Sequence, residues 1–166
     1  MSASEPRIAT ISIAKEYLKF SAAHFTIFSR HERERLHGHN FTVAAEITAS
    51  VDANGMTSNY RVYKDVLKSC CDFLDEYVLL PGNSPFLEIT QQGEQYQVQF
   101  ADQTLHFLCS DTKVLPITNT TVEEFSNYIL SQLLGDKRLA ASSDIQKLAV
   151  TVASGPGQTG TTVWHR

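Results

Sequence analysis

LHGHNFTVAAEITA, residues 36–49, alternates along its length: His37, His39, Phe41, Val43, Ala45 and Ile47 fall on one face. A period of two is the mark of a half-buried β-strand, and DANG at 52–55 supplies the turn that closes it. Upstream, residues 8–25 are β-branched and aromatic and end in FSAAHF, which predicts a first strand. The charged loop SRHERER (29–35) separates the two. Downstream the period becomes helical from Asn59 to Leu80, with Val62, Val66, Cys70, Phe73 and Tyr77 as one apolar stripe. Ser58 or Asn59 can cap it, and Pro81-Gly82 stops it.

QYQVQF (95–100) alternates again and turns into LHFLC, so a β-hairpin is expected within an insert at about 84–112, extending the sheet or covering an edge. A second helix starts at Thr120 or Thr121, each with a glutamate three residues on, Glu123 or Glu124, as in a capping box. Its stripe is Val122, Phe125, Ile129 and Leu133, and Gly135 ends it. Leu148–Val152 and Thr161–Val163 are closing strands. The order β-β-α-(β-β)-α-β-β predicts an α+β fold, two helices on one face of a mainly antiparallel sheet, in a single domain over 1–166.

The chain has 166 residues, 42% of them hydrophobic and 19% charged, enough to bury a core without staples. Fourteen basic residues against 18 acidic ones give a net charge of −4, with no basic run, which argues against nucleic acid as a partner. Cys70, Cys71 and Cys109 are odd in number and form no CxxC, so a reducing compartment is expected. Glu5, Arg7, Lys15 and Glu16 leave no signal-peptide core at the N-terminus. The longest uncharged stretch, Leu148 to Trp164, is broken by glycines and Pro156. A cytoplasmic protein without a membrane span is the expectation.

His37 and His39 carry the chemistry. On a strand, residues i and i+2 point the same way with Cα atoms roughly 6.5–7 Å apart. Two imidazoles so placed can meet on one zinc ion at about 2.0–2.1 Å. Gly38 between them leaves the other face open to close packing. His24 ends the preceding strand, and antiparallel pairing brings it alongside. Three histidines leave a fourth zinc position for water or substrate, the pattern of a catalytic site. His31 in the loop, His106 in the insert and terminal His165 have weaker claims.

FSAAH (20–24), RERLHGHNF (33–41), DANGM (52–56), NYRVYKDVLK (59–68), LDEYVLLPG (74–82), TNTTVEEF (118–125) and VTVASGPGQT (150–159) together resemble the 6-pyruvoyl-tetrahydropterin synthase and 6-carboxytetrahydropterin synthase family. The resemblance covers the chain apart from the insert. It implies the tunnelling fold, trimers closing their sheets into a barrel, stacked hexamers, and active sites between subunits. It also implies zinc on His24, His37 and His39, and 7,8-dihydroneopterin triphosphate or a related dihydropterin as substrate. Thr120 and Thr121 match the family's pterin-contacting segment.

Three positions depart from the family. Where its enzymes place a cysteine before HGH as general base, this chain has Glu32 and Glu34. Arg33-Glu34-Arg35-Leu36-His37 resembles a glutamate-bearing branch whose outcome shifts toward side-chain cleavage to 6-hydroxymethyl-dihydropterin. Asp75-Glu76 stands where the family has a proton-relaying Asp-His pair. Ser154, or Ala153 in the neighbouring register, stands where a glutamate holds the pterin. The resemblance thus implies a zinc-dependent lyase on a dihydropterin side chain, like 6-carboxytetrahydropterin synthase, with Glu34 as base. A non-catalytic zinc- and ligand-binding relative and a zinc enzyme on a different substrate are the alternatives. Cys70 and Cys71 read as core.

Overall fold

The computed structural model describes residues 7–140 and 144–166; the first six residues of the charged N-terminus lie outside it. The strands are β1 (Ile8–Ile13), β2 (Lys19–His24), β3 (His37–Ser50), β4 (Tyr77–Pro81), β5 (Glu88–Gln92), β6 (Gln95–Phe100), β7 (Gln103–Leu108), β8 (Thr112–Leu115), β9 (Ile145–Gly155) and β10 (Gln158–His165). The helices are α1 (Arg61–Leu74), α2 (Val122–Gly135) and the short α3 (Lys137–Ala140).

β3 is the spine, and its alternation is the predicted one: Phe41, Val43, Ala45 and Ile47 are buried. One edge pairs antiparallel with β2 through its first half and with β1 through its second. The segment expected as one strand over 8–25 is therefore two strands in line. Polar Lys15 and Glu16 fall at the break, and Val43 N–H still reaches the Leu18 carbonyl at 2.8 Å. The other edge of β3 pairs with β9, and β9 with β10, giving the order β10-β9-β3-β2-β4-β8 with β1 beside β2's place on β3. The sheet is mixed, because β4 lies parallel to both β2 and β8.

β4 corrects the long helix expected over 59–80. α1 stops at Leu74, Asp75 is extended and Glu76 takes φ 63°, which turns the chain back onto the sheet. Tyr-Val-Leu-Leu then continues as a strand; a short apolar run fits either structure, and periodicity alone does not separate them. The α1 stripe also lies further round than expected. Val66 and Cys70 are buried as predicted, with Tyr63, Leu67, Cys71 and Leu74, while Phe73 is 46% exposed. Tyr60 occupies the N-cap without a side-chain bond, and Asn59 accepts from Arg61 N–H at 3.1 Å. α2 is as predicted, buried along Val122, Phe125, Ile129 and Leu133, with Thr121 Oγ1 accepting from Glu124 N–H. Glu124 does not close a capping box; its carboxylate accepts from Thr118 N–H at 2.7 Å.

Both long helices cover one sheet face, and the core between holds Phe20, Phe41, Tyr63, Phe125 and Leu79 among its fully buried side chains. Each fully buried apolar side chain of that size contributes about 1.5–3 kcal/mol. Gly160 lets β10 touch the start of α2: a Cβ there would lie 2.8 Å from Glu123 N and Val122 C.

The insert is more than a hairpin. β5, β6 and β7 form their own antiparallel sheet. Val98 and Phe100 pack with Phe25, Ile27 and Leu80 in a second core, so the insert seals the segment that follows β2. Among the described residues no helix is long and apolar enough to cross a membrane.

Candidate metal centre and its cavity

Pairing of β2 with β3 sets His24 opposite His37 and Ala22 opposite His39. The three rings converge, with centroids 4.7 Å apart for His24–His37, 5.3 Å for His24–His39 and 4.8 Å for His37–His39. One ligand nitrogen from each lies within 4.8 Å of the other two. Phe41 and Phe125 form an apolar floor, their rings 5.4 and 6.2 Å from His24. Among the described residues these three histidines are the metal-type cluster; His31, His106 and His165 take no part.

Backbone carbonyls set the tautomers. His24 Nδ1 lies 2.8 Å from Thr120 O, and His37 Nδ1 lies 2.7 Å from Arg35 O. A carbonyl only accepts, so both Nδ1 atoms carry the proton and both Nε2 atoms of the neutral rings present lone pairs. His24 Nε2 is buried with no hydrogen-bond partner, and His37 Nε2 faces His39 Nε2 at 3.0 Å. Burial holds the His24 imidazole below its ordinary pKa; the Thr120 carbonyl opposes this, and the neighbouring imidazoles add to it. A buried, neutral, unpartnered nitrogen among other ring nitrogens is what a metal ligand requires. Tetrahedral zinc ligands at 2.0–2.1 Å stand about 3.3–3.4 Å apart, close to the 3.0 Å between His37 Nε2 and His39 Nε2.

Glu34 hangs over this cage from the loop after β2. Its Oε2 lies 3.8 Å from His37 Nε2 and accepts from Thr26 N–H at 3.0 Å, while Glu34 N–H donates to Thr26 O at 2.8 Å. Partial burial raises its pKa, but the hydrogen bond from Thr26 N–H and, to a smaller extent, the nearby His37 and His24 imidazoles outweigh this and leave it lowered.

Glu34, His24 and His39 line a cavity of about 260 Å³ with Thr120, Thr121, Glu123, Ser154 and Gln158. The expected Thr120, Thr121 and Ser154 thus meet the histidines. Thr120 is fully buried, and its Oγ1 donates to Phe25 O at 2.7 Å, so its side chain works inward while its carbonyl orients His24. Asn119 ties the two segments together: it accepts from Ile27 N–H and Thr120 N–H and donates to Ile27 O. Asp75 and Glu76 do not line this cavity. Asp75 accepts from Ser21 N–H at 2.7 Å, and Glu76 lines a second cavity with Ser21, Gly38, His39 and Asn40. A Cβ on Gly38 would make only ordinary contact with Ala22 O at 3.5 Å, so close packing does not require that glycine. Cys70 and Cys71 are free and buried, as expected of core, and burial pushes their thiols up to about 11 and about 12.

Sequence reasoning missed Thr26, Asn119, Glu123 and Gln158. Asn119 and Gln158 are ordinary loop and turn residues by composition, and only the tertiary pairing gives them roles. Glu123 reads in the sequence as a helix-capping residue, and the structure places it on the cavity wall.

Comparison with known proteins agrees with this geometry. The family model described as 6-pyruvoyl tetrahydropterin synthase matches residues 12–161. A protein of Methanocaldococcus jannaschii, provisionally named a 6-carboxy-5,6,7,8-tetrahydropterin synthase, is 23% identical over 142 residues, spanning 85% of this chain and 86% of its own. The 6-pyruvoyl tetrahydropterin synthase structures of Plasmodium falciparum and Plasmodium vivax superpose with TM-scores of 0.89 at 28% and 27% identity, each over 96% of this chain and 99% of theirs. The P. vivax protein has also been solved with a catalytic glutamate replaced by alanine and by cysteine. With a family match running almost end to end and a superposition of this quality, the chain belongs to the 6-pyruvoyl tetrahydropterin synthase family and has its tunnelling fold.

Proposed function

We propose that this protein is a zinc-dependent lyase acting on the side chain of a 7,8-dihydropterin, either dihydroneopterin triphosphate or dihydroneopterin. His24, His37 and His39 are its metal ligands and Glu34 its general base. The observation that carries the reading is the imidazole cage, with two Nε2 lone pairs set by carbonyls, beside a carboxylate 3.8 Å from His37. When bound, the zinc ion supplies Lewis acidity that makes a side-chain hydroxyl of the substrate a better proton donor.

The remaining work falls to the chain. Glu34 is ionised at neutral pH, because its lowered pKa keeps it a carboxylate, and so it is ready to take a proton. Its weak basicity suits an acidified hydroxyl better than an unactivated one. The Phe41 and Phe125 rings keep the cage floor dry, which strengthens charge interactions there. Thr121, Glu123, Ser154 and Gln158 offer hydroxyl, carboxylate and amide groups to the polar edge of a pterin ring. The P. vivax variants, which replace a catalytic glutamate, support a glutamate in the base's role. Asp75 and Glu76, which do not line the cavity of the cage in this chain, act as a proton relay if a neighbouring subunit brings them to it. That fits a homotrimer or hexamer with sites between subunits.

The test incubates zinc-loaded protein with 7,8-dihydroneopterin triphosphate, and separately with dihydroneopterin, and identifies products by chromatography with mass detection. A 6-carboxy, 6-pyruvoyl or 6-hydroxymethyl product is expected, with at least a hundredfold loss of kcat in Glu34→Gln at unchanged zinc content. The second reading, a zinc-retaining relative that binds a ligand without turning it over, is favoured by neutral Ser154 at the expected pterin anchor. Stoichiometric zinc with neither substrate consumed would select it.

A further inference from the structure

The loop that presents Glu34 is gripped by the insert. The Arg33 guanidinium lies over the Phe25 ring at 5.0 Å and over the Phe100 ring of β6 at 5.6 Å. Its Nη1 donates to the Glu34 carbonyl at 2.9 Å, and its Nη2 donates to Gln103 Oε1 at the start of β7 at 2.7 Å. Its Nε is buried without a partner. Leaving a buried donor unpaired is costly, so the other contacts are what hold the side chain here. Arg33 also pairs with Ile27 in an isolated bridge, one residue beyond the Thr26–Glu34 backbone contact.

We infer that the inserted three-stranded sheet is a positioning device for the base: Arg33, fixed between Phe25 and Phe100 and bonded to Gln103, holds the Glu34 backbone so that its carboxylate faces His37. The inference rests on the reading of Glu34 as base, and it gives Arg33 and Gln103 roles that neither their charge nor their exposure explains. The chemistry favours arginine for this. A planar guanidinium stacks on two rings and donates along two directions at once, whereas a lysine ammonium is a point charge on a flexible stem. Neither Arg33 nor Gln103 lines the cavity of the cage. Both act through Glu34 and are positioning residues.

The experiment compares wild type, Arg33→Lys, Gln103→Ala and Gln103→Glu as zinc-loaded full-length protein. Amide hydrogen exchange at Thr26 and Glu34 is read beside kcat, KM and zinc content. Arg33→Lys and Gln103→Ala should lose about tenfold protection at these two amides, the size of one lost hydrogen bond, while the β3–β9 ladder is unchanged. kcat should fall about tenfold or more with KM within about twofold, because a displaced base weakens the reaction step and leaves binding alone. Gln103→Glu keeps the acceptor and should restore both. Exposed Gln103 guards against misfolding as the explanation.

Unchanged protection in both Arg33→Lys and Gln103→Ala overturns the inference whatever the activity. Lost protection with unchanged kcat overturns it too, since the contact would then be a strut with no bearing on the reaction. If Glu34→Gln turns over like wild type, the base reading itself has failed, and retained or lost protection still reports whether the insert grips the loop.

Discussion

Each ring nitrogen of His24 and His37 has one job, and Asn119 shows how far the control reaches. By bonding Ile27 and Thr120 it keeps the Thr120 carbonyl against His24 Nδ1. Asn119→Ala should therefore weaken zinc binding about tenfold or more, in the range seen when a ligand's hydrogen-bond partner is lost, with no ligand removed. Competition against a chromogenic chelator measures it. His39→Ala should abolish stoichiometric binding in the same assay. Much of this scale was legible: period-two spacing put His37 and His39 on one face and His24 on the partner strand. Thr26 and Asn119 were not: Thr26 acts through its own backbone N–H and C=O, and Asn119 bonds the backbone of a segment 92 residues away, which no spacing rule reaches.

At the scale of elements, strands with strict alternation were legible, and the join between α1 and β4 was not. Glu76 makes that turn at φ 63° without a glycine to announce it. Ala101 is similar, at φ 50° between β6 and β7. Ala101→Asn, which tolerates this conformation better, should raise the melting temperature by about 1–3 °C. Gly160→Ala should lower stability by about 1–3 kcal/mol in urea unfolding, since its Cβ meets backbone of α2 that cannot give way cheaply.

The paired thiols of α1 carry a pH signature. Cys70 and Cys71 are raised to about 11 and about 12 from an ordinary value of 9.0. Below pH 9 both states hold neutral thiols and the stabilisation is complete. From pH 9 upward only the unfolded chain ionises, so stability falls by about 1.4 kcal/mol per pH unit per thiol until the folded thiols titrate. Urea unfolding under reducing conditions at pH 8 and pH 10 should show a steeper fall in wild type than in Cys70→Ala/Cys71→Ala.

For the whole molecule, the α+β layering followed from the order of elements, while the insert's independence did not. An alternating hairpin looks alike whether it extends a sheet or founds a new one, and only the burial of Val98 and Phe100 against Phe25 and Leu80 decides. Zinc should stabilise the folded chain by mass action, adding about 4 kcal/mol at a free concentration a thousandfold above Kd. Calorimetry with and without a chelator reads this as a higher melting temperature in the loaded protein.

The pairing of Thr42 with Ala153 and of Ala49 with Ile145 has a bearing on how the chain is made. The three imidazoles lie within sixteen residues of one another, from His24 to His39. The carbonyl that orients His24 belongs to Thr120, and the strand that braces β3 comes later still. A nascent chain therefore displays a loose His-Gly-His pair before its cage can close. The site gains its rigidity only once β9, more than a hundred residues after His39, zips onto β3.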